Sequence, residues 1–483
     1  MRRLGLWLTA ALALGPTGCM VGPDYVKPAV IIPQSFKEAD GWKVARPGDA
    51  LSRGQWWEIF GDAELNALAE QVAEANQDLQ VAEARFREAR AIIGFYRAAL
   101  FPTISAGVGV GAVRPSGNQP FATSQPPASG DFLMSLGLSY EVDLWGRVRR
   151  SVNAARDEAQ ASAADLETAR LILQSDLALA YFDLRSADAQ QELLDATVDA
   201  YTSALELTTN RFEGGAAPRS DVVQAQTQLE TTRVQATEVA VGRAQLEHAI
   251  AILIGQPPSA LTIPRAPLRV RPPDVPLSLP SELLERRPDI AAAERRVALA
   301  NEQLGIARAA FFPTVMLNAV VGFEGSSIAN WLTWPSLFWA VGTSLTQTIF
   351  DGGRRRATSE ATLAHYDSVV AQYRQTTLQA FGQVEDNLAA LRILQLAAQQ
   401  QARAVATART SVELFTNRYR GGLDTYLQVV TAQAVALANE RNEVDILRRR
   451  MGATVLLVKA LGGGWTIADL PSLSGSGAGS TAR

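Results

Sequence analysis

The chain contains one pattern twice, and each copy joins two kinds of element that rarely occur in one domain. Residues 89–111 read ARAIIGFYRAALFPTISAGVGVG, and residues 300–322 read ANEQLGIARAAFFPTVMLNAVVG. Residues 206–215 read ELTTNRFEGG, and residues 413–422 read ELFTNRYRGG. Each copy combines long heptad-patterned helices with two short strands that alternate apolar with small or polar residues. Long helices together with strands of membrane type predict a pore with a tall helical stem.

A seven-residue apolar repeat runs through the two longest predicted helices, residues 146–212 and 353–420. In the first helix the repeat falls on Leu166, Leu173, Ala180, Ala187, Leu194, Tyr201 and Thr208. In the second it falls on Leu363, Val370, Thr377, Val384, Leu391, Ala398, Val405, Val412 and Tyr419. A heptad repeat of this length predicts left-handed supercoiled packing, with each helix about 100 Å long.

Four strands are predicted, at about residues 103–113, 132–143, 314–323 and 338–349. Each has about the length of a tilted membrane-spanning strand. We expect their apolar rows to face lipid and their Gly, Ser and Thr rows to face a wet lumen. In lipid an open sheet edge leaves backbone groups without partners, so the sheet must close into a barrel. Two chains would supply eight strands and three would supply twelve; a conducting pore favours three, although the pattern alone does not fix the number.

The sequence predicts two repeats between an N-terminal targeting segment and a C-terminal tail. The predicted order is a signal peptide at 1–18, a lipidated linker at 19–61, a first repeat at 62–255 with a helix–helix tip at 213–219, a Pro-rich connector at 256–280, a second repeat at 281–470 with its tip at 421–424, and a disordered tail at 471–483. Shorter helices are expected at 62–100, 221–254 and 281–312. The last two, stacked end to end, would nearly match a long helix.

The N-terminus has the pattern of a lipoprotein signal. Arg2 and Arg3 precede a short apolar run that cannot span a membrane as a mature helix. A small residue precedes Cys19, which is the only cysteine of the chain. This pattern predicts a covalent diacylglycerol and an N-acyl chain on Cys19, although Pro16 stands where Leu is usual. Met20 after the cysteine is compatible with export to an outer membrane.

Composition excludes several other classes of protein. The formal net charge is −4, which gives no indication of nucleic-acid binding. With two His and one Cys, the chain is poor in metal ligands, and no metal site is predicted. No pairing of a nucleophile with a base is found, so the chain is predicted not to be an enzyme, and no cofactor is expected beyond the acyl chains on Cys19.

Several motifs resemble those of lipoprotein outer-membrane efflux channels, the TolC-like channels of the NodT-type branch of the outer membrane factor family. They are Cys19-Met20-Val21-Gly22-Pro23-Asp24-Tyr25, Trp56-Trp57, Asn76-Gln77-Asp78-Leu79, Phe101-Pro102-Thr103, Tyr140 to Arg147, Arg287-Pro288-Asp289-Ile290, Phe311-Phe312-Pro313-Thr314 and Ile349 to Arg354. The resemblance covers essentially the whole mature chain in order. It therefore implies the fold and the cellular setting of that family.

The implied fold is mainly α with a transmembrane β-barrel. A homotrimer would form a twelve-stranded barrel in the outer membrane and a long coiled-coil α-barrel in the periplasm. The helix tips would close the inner end, where a periplasmic adaptor docks and links the channel to an inner-membrane pump, expected to be of RND type. The protein would be anchored in, and span, outer-membrane lipid.

The second tip resembles the aperture hairpin of that family. Three copies of Leu427 would form an apolar constriction, and Arg418, Tyr419 and Arg420 would lock neighbouring helices. Related channels place an Asp ring one turn beyond the constricting Leu. Here that position is Thr431. Asp424 and Asp221 are candidate substitutes for the acidic ring.

Glycines and prolines mark the turns and breaks. The pairs Gly214-Gly215 and Gly421-Gly422 are predicted to give backbone freedom to the tips and to leave room for the adaptor. Pro102 and Pro313 are predicted to set the breaks between helix and strand.

The sequence analysis favours an exit duct for small toxic compounds. It leaves open a duct for a type I protein-secretion system and a non-transporting coiled-coil envelope lipoprotein.

Overall fold

This computed structural model describes residues 20–39, 55–114, 116–118, 127–273, 275 and 280–473. The long helices and strands, in chain order, are α1 (Ala63–Ala75), α2 (Gln77–Ala98), β1 (Thr103–Val113), β2 (Ser129–Val142), α3 (Arg147–Glu213), α4 (Arg219–Leu253), α5 (Pro288–Ala309), β3 (Thr314–Gly325), β4 (Leu337–Thr346), α6 (Arg354–Arg420) and α7 (Tyr426–Ala460). The predicted signal peptide, Cys19 and the last ten residues of the predicted tail lie outside the described residues.

The predicted mainly helical fold with four strands is confirmed, and it is built as a wall of four columns. α3 packs against α2 and α5 near the sheet and against α4 and α7 farther along. α6 packs against α5 and α7 on the far side. Among the residues that the structure describes, none of the helices combines the length and the apolar character that crossing a bilayer requires.

Two columns are single helices and two are stacks. α3 and α6 have 67 residues each. In the first stack α2, with 22 residues, meets the end of α4, with 35. In the second stack α5 meets the end of α7, again with 22 and 35 residues. Each stack thus nearly matches a long helix.

The predicted pairing of the short helices is wrong. The sequence analysis stacked helix 221–254 on helix 281–312, but α4 meets the helix pair at Asn76 instead. The Asn76 side-chain amide donates to the Leu253 carbonyl at 2.8 Å. The Arg287 guanidinium makes the equivalent contact in the second repeat, donating to the Ala460 carbonyl at 3.1 Å. Each repeat therefore completes its own stack.

The predicted continuous helices 62–100 and 281–312 break at these same contacts. Asn76 has an extended backbone and its side chain accepts a hydrogen bond from the Leu79 amide at 3.0 Å, which caps α2. Arg287 precedes Pro288, and a residue before proline is disfavoured in the helical region. A new helix begins after each break, and the residue at the break contacts the last turn of the helix that is stacked there.

Glycines let the helix ends approach these breaks. Gly255 follows α4 with φ of +72°, and a Cβ there would lie 2.3 Å from the Ala75 carbonyl oxygen. Gly462 follows α7 with φ of +93°, and its Cβ would lie 2.0 Å from the Arg286 carbonyl oxygen. Both positions therefore require glycine for its backbone conformation and for its lack of a side chain.

The sheet is antiparallel in the order β1-β2-β3-β4. One face is apolar across all four strands, with the cross-strand pairs Val108↔Met134, Leu136↔Val321, Ala319↔Val341 and Val315↔Leu345. The opposite face carries mostly small and polar residues, with the pairs Gly107↔Ser135, Ser139↔Asn318 and Thr314↔Thr346, and it also includes the carboxylates Asp131, Glu141 and Glu324. The alternation in the sequence therefore becomes two sheet faces of different chemistry.

Strand bounds differ from the prediction by two or more residues at three ends. β2 begins at Ser129 rather than at 132, and β3 extends to Gly325 rather than ending at 323. β4 ends at Thr346, whereas the prediction extended it to 349. Thr346 pairs with Thr314, the first residue of β3, and Pro313 before it has no N–H to donate.

The sheet and the layer of helical columns each have open edges, and these edges lie on the same two sides. Each strand continues directly into one helical column, since α2 leads into β1, β2 into α3, α5 into β3 and β4 into α6. β1 and β4 are the outermost strands, and the helices connected to them are the outermost columns. Large apolar side chains are exposed on these columns: Val81, Ile92 and Phe95 on one, and Leu378, Ile393 and Leu396 on the other. A single chain is therefore an unfinished wall.

The main hydrophobic core lies well away from the sheet, at the level where the two helices of each stack meet end to end. The end of the predicted linker is part of this core, because Trp56–Phe60 is a short 3₁₀ helix with Trp56, Trp57 and Phe60 buried. Phe60 packs on Phe182 of α3 with ring centroids 4.9 Å apart. The linker prediction up to residue 61 thus missed a buried anchor.

We predict that Asn76→Ala lowers the free energy of unfolding by about 2 kcal/mol, because it removes a helix cap and leaves a buried carbonyl unpaired. Chemical unfolding in detergent, followed by circular dichroism, measures this change. Gln77→Ala is the matched control, since its exposed side chain bonds, among the described residues, only to the nearby Ala75 carbonyl. Equal unfolding midpoints for the two variants would contradict the stacking role of Asn76.

Candidate functional site

The two helix tips have the same backbone structure. At the first tip, Gly214, Gly215 and Ala216 donate their amides to the carbonyls of Asn210, Phe212 and Arg211 at 3.0, 2.9 and 2.8 Å. At the second tip, Gly421, Gly422 and Leu423 donate to Asn417, Tyr419 and Arg418 at 3.0, 3.0 and 2.9 Å. This is the Schellman pattern, which satisfies carbonyls at the end of a helix.

Only the second glycine of each pair has a backbone conformation that favours glycine. Gly215 and Gly422 have φ of +74° and +71°. Gly214 and Gly421 are in ordinary right-handed helical geometry, at φ of −76° and −75°. A Cβ added at Gly215 or Gly422 would meet no atom within 4 Å, so the space beside these two residues is open.

Tyr419 joins the two tips. It is only 3 % exposed, and its hydroxyl donates to Asp221 Oδ2 at the start of α4, at 3.3 Å. Its ring packs on Tyr426 with centroids 5.2 Å apart. The Arg211 guanidinium lies 4.8 Å from the ring centroid on one side. We call Tyr419, Asp221, Arg211 and Tyr426 the tip clasp.

Burial keeps both tyrosine hydroxyls protonated. Burial, followed by the nearby Asp221 carboxylate, raises the pKa of Tyr419. Burial also raises the pKa of Tyr426 to about 12, with the adjacent Tyr419 adding to the effect. The Tyr419 hydroxyl is therefore a hydrogen-bond donor to Asp221 throughout the neutral range.

The two arginines that flank Tyr419 have different roles. Arg418 pairs with Asp424 of its own hairpin at 2.6 Å and is 56 % exposed. Arg420 contributes its carbonyl, which accepts from Arg211 at 2.9 Å. For the Arg420 guanidinium, the described part of the chain offers no hydrogen-bond or ion-pair partner. Of the three residues expected to lock helices, Tyr419 alone uses its side chain to reach the other tip.

Leu427 and Thr431 lie on one exposed face of α7. Leu427 is 53 % exposed, and the Thr431 hydroxyl donates to its carbonyl at 2.8 Å, one helical turn away. The two carboxylates considered as an acidic ring are both engaged, Asp221 by Tyr419 and Asp424 by Arg418. On this face, α7 therefore exposes the apolar side chain of Leu427 and the hydroxyl-bearing side chain of Thr431.

Arg211 and Tyr426 were missed in the sequence analysis. Arg211 has a signal in the repeat, because it precedes Phe212 as Arg418 precedes Tyr419. Tyr426 has no such signal, since Arg219 stands at the equivalent position of the first repeat. Its role depends on the packing of the two tips, which the sequence does not display.

The prolines lie directly before the strands. β1 begins one residue after Pro102, and β3 begins one residue after Pro313. The Pro313 carbonyl accepts a hydrogen bond from the Trp145 indole at 2.8 Å, and Trp145 stacks on Phe312. In the described ranges no cluster of three or more His, Cys, Asp or Glu side chains could hold a metal ion.

We predict that Tyr419→Phe loosens the tips without unfolding the columns. Loss of one hydrogen bond, about 1 kcal/mol, should speed amide exchange in residues 415–431 about fivefold. Hydrogen-exchange mass spectrometry measures this rate. Tyr201→Phe is the control, because that hydroxyl accepts from Gln228 within one hairpin, at 3.3 Å. Identical exchange in wild type and Tyr419→Phe would exclude a joining role for this hydroxyl.

Comparison with known proteins identifies relatives over nearly the whole chain. The model of the family described as outer membrane efflux protein matches residues 68–256 and 279–463. The pyoverdine export outer membrane protein OpmQ of Pseudomonas aeruginosa is 32 % identical over 472 residues, covering 96 % of this chain and 97 % of that protein. The toluene efflux pump outer membrane protein TtgF of Pseudomonas putida is 32 % identical over 473 residues, covering 95 % and 97 %.

The fold is also similar to that of a solved channel. The structure of the outer-membrane channel OprN superposes with a TM-score of 0.86 at 29 % identity, covering 92 % of this chain and 100 % of that chain. The two segments matched by the family model coincide with the two repeats of the wall.

Proposed function

Because this chain belongs to the outer membrane efflux protein family, we propose that it is the exit duct of a tripartite efflux system. An inner-membrane pump would load the duct through a periplasmic adaptor, and the cargo would leave outside the cell. The observation that carries this proposal is the wall of four columns. Its sheet has one continuous apolar face, and both of its layers end in open edges on the same sides.

The wall is completed by three copies. In lipid the unpaired backbone groups of β1 and β4 must find partners, and a neighbouring chain supplies them. Two chains would give an eight-stranded barrel, which is filled by its own side chains. Three chains give twelve strands and leave a lumen. The small residues on the polar face, such as Gly107, Gly322 and Gly342, keep that lumen wide.

Acyl chains on Cys19 anchor each subunit in outer-membrane lipid. The support is the signal pattern in the sequence and the docking of the residues after Cys19 at the junction of β2 and α3, where the Val21 amide donates to the Trp145 carbonyl. A single site carrying several acyl chains gives firm attachment.

The tips form the closed aperture at the periplasmic end. Three copies of Leu427 narrow the lumen with apolar side chains, which resist wetting. The tip clasp holds the second tip against the first, and the open space beside Gly215 and Gly422 receives the adaptor. Thr431, rather than a carboxylate, follows the constriction by one turn.

The cargo consists of small toxic compounds, and the pump is of RND type. Two relatives are named for the export of small molecules, pyoverdine and toluene. The lumen face of the sheet supports broad selectivity, because small and polar side chains make up most of it.

We predict that Leu427→Ser raises single-channel conductance in planar bilayers by about twofold or more, because a hydroxyl admits water where the leucine excludes it. Leu423→Ser is the matched control, since Leu423 is an exposed leucine of the same tip but lies on the turn. An equal rise in both variants, or no rise in either, would remove Leu427 from the gate.

Deletion of the gene tests the proposed function. We expect the deletion strain to accumulate solvents and antibiotics and to become sensitive to several of them, with full rescue by the wild-type gene. The purified protein should be trimeric and should require detergent. A monomer that remains dissolved without detergent would contradict the duct. Unchanged drug sensitivity combined with loss of one secreted protein would instead indicate a type I secretion duct.

A further inference from the structure

The first described residues are docked onto the junction between sheet and helices. We call residues 20–25 the strap. The Val21 amide donates to the Trp145 carbonyl at 3.0 Å. Met20 lies against Gly146, where an added Cβ would come within 2.7 Å of the Met20 Cγ. The strap therefore begins where β2 ends and α3 begins.

A buried arginine holds the strap by its backbone. Arg150 is 1 % exposed, and its guanidinium donates to the Val21 carbonyl at 2.8 Å and to the Pro23 carbonyl at 3.3 Å. A third bond pairs it with Glu302 of α5 at 3.0 Å. A buried guanidinium needs acceptors for its donors, and here strap carbonyls supply two of them.

Two glycines bring the strap into direct contact with the helices. Gly22 has φ of +114°, and a Cβ there would lie 2.7 Å from the Gly305 Cα. A Cβ at Gly305 would lie 2.3 Å from the Arg150 Nε. No side chain fits between these layers. We call Arg150, Glu302 and Gly305 the strap socket.

Further contacts secure the strap beyond the socket. The Asn301 amide donates to the Pro23 carbonyl at 3.2 Å, and the Tyr25 hydroxyl donates to Glu294. Asn301 and Glu294 both lie on α5, so the strap, which is also bonded to Arg150, ties α3 to α5.

We propose that the strap socket is a positioning site for the lipidated N-terminus. Cys19 is bonded to Met20, and consecutive Cα atoms lie 3.8 Å apart, so acyl chains on Cys19 would leave the protein beside the end of β2. An undocked strap would let the anchor wander by about 20 Å, at 3.3–3.6 Å per residue. The docked strap fixes the depth of the acyl chains relative to the strands. This inference rests on the proposed lipidation and membrane orientation.

Gly22→Ala tests the socket from the strap side and leaves the helices intact. Gly61→Ala is the matched control, because Gly61 also has a positive φ, of +64°, but has no atom within 4 Å of an added Cβ. Hydrogen exchange of the Val21 amide reports docking, and the fraction of chain recovered as trimer in the outer membrane reports assembly. Both are measured with Cys19 and in the Cys19→Ala background.

We expect Gly22→Ala to speed exchange at Val21 about tenfold, with α3 and α5 unchanged. The assembled fraction should fall severalfold with Cys19 present and should not fall further in the Cys19→Ala background, because the two changes disable one anchor. Gly61→Ala should match the wild type.

Three outcomes would overturn the proposal. Unchanged exchange at Val21 would deny docking. Faster exchange with normal assembly would deny a positioning role, and an equal loss of assembly in both backgrounds would leave the socket a purely structural part. Absence of acyl groups on Cys19 in mass spectrometry of the purified protein would instead refute the lipidation in the proposed function, whereas a trimer that forms normally would leave the duct itself standing.

Discussion

The unpaired edges of the sheet determine how this chain must assemble. The outward-facing backbone N–H and C=O groups of β1 and β4 have no strand partner among the described residues, and hydrocarbon offers none. Because each strand continues into one helical column, closing the sheet into a barrel also closes the helices into a tunnel. The exposed apolar side chains of the outer columns, such as Phe95 and Leu396, also require a neighbouring chain, because they otherwise remain in contact with water. One requirement thus sets the architecture of both layers.

The duplicated repeat is symmetric in its backbone and asymmetric in its side chains. Both stacks are seated by a glycine at a helix break, and both tips have the same hydrogen-bond pattern. At the tips, however, Tyr419 is buried against Asp221, whereas its equivalent Phe212 is 43 % exposed. The second tip thus supplies the tyrosine rings of the clasp, and the first tip supplies the Asp221 carboxylate and the Arg211 guanidinium that contact Tyr419.

The N-terminal strap packs against the junction between the sheet and the helices. The buried Arg150 uses strap carbonyls as acceptors, so the strap is part of the packing. Trp145 lies at the same level, stacked on Phe312 and bonded to the Pro313 carbonyl. These contacts tie the sheet to the helices at their junction.

The sequence by itself determined the element types, the repeat and the two faces of the sheet, because these depend on local periodicity and on residues such as Pro102 and Pro313. The tertiary structure alone decided which helices stack and which side chains meet. The break at Asn76 depends on its hydrogen bond to the Leu253 carbonyl, and the role of Arg211 depends on its contact with the Tyr419 ring. Such pairings join residues more than 170 positions apart, and a periodic pattern carries no information about the partner that a face or a helix end will meet.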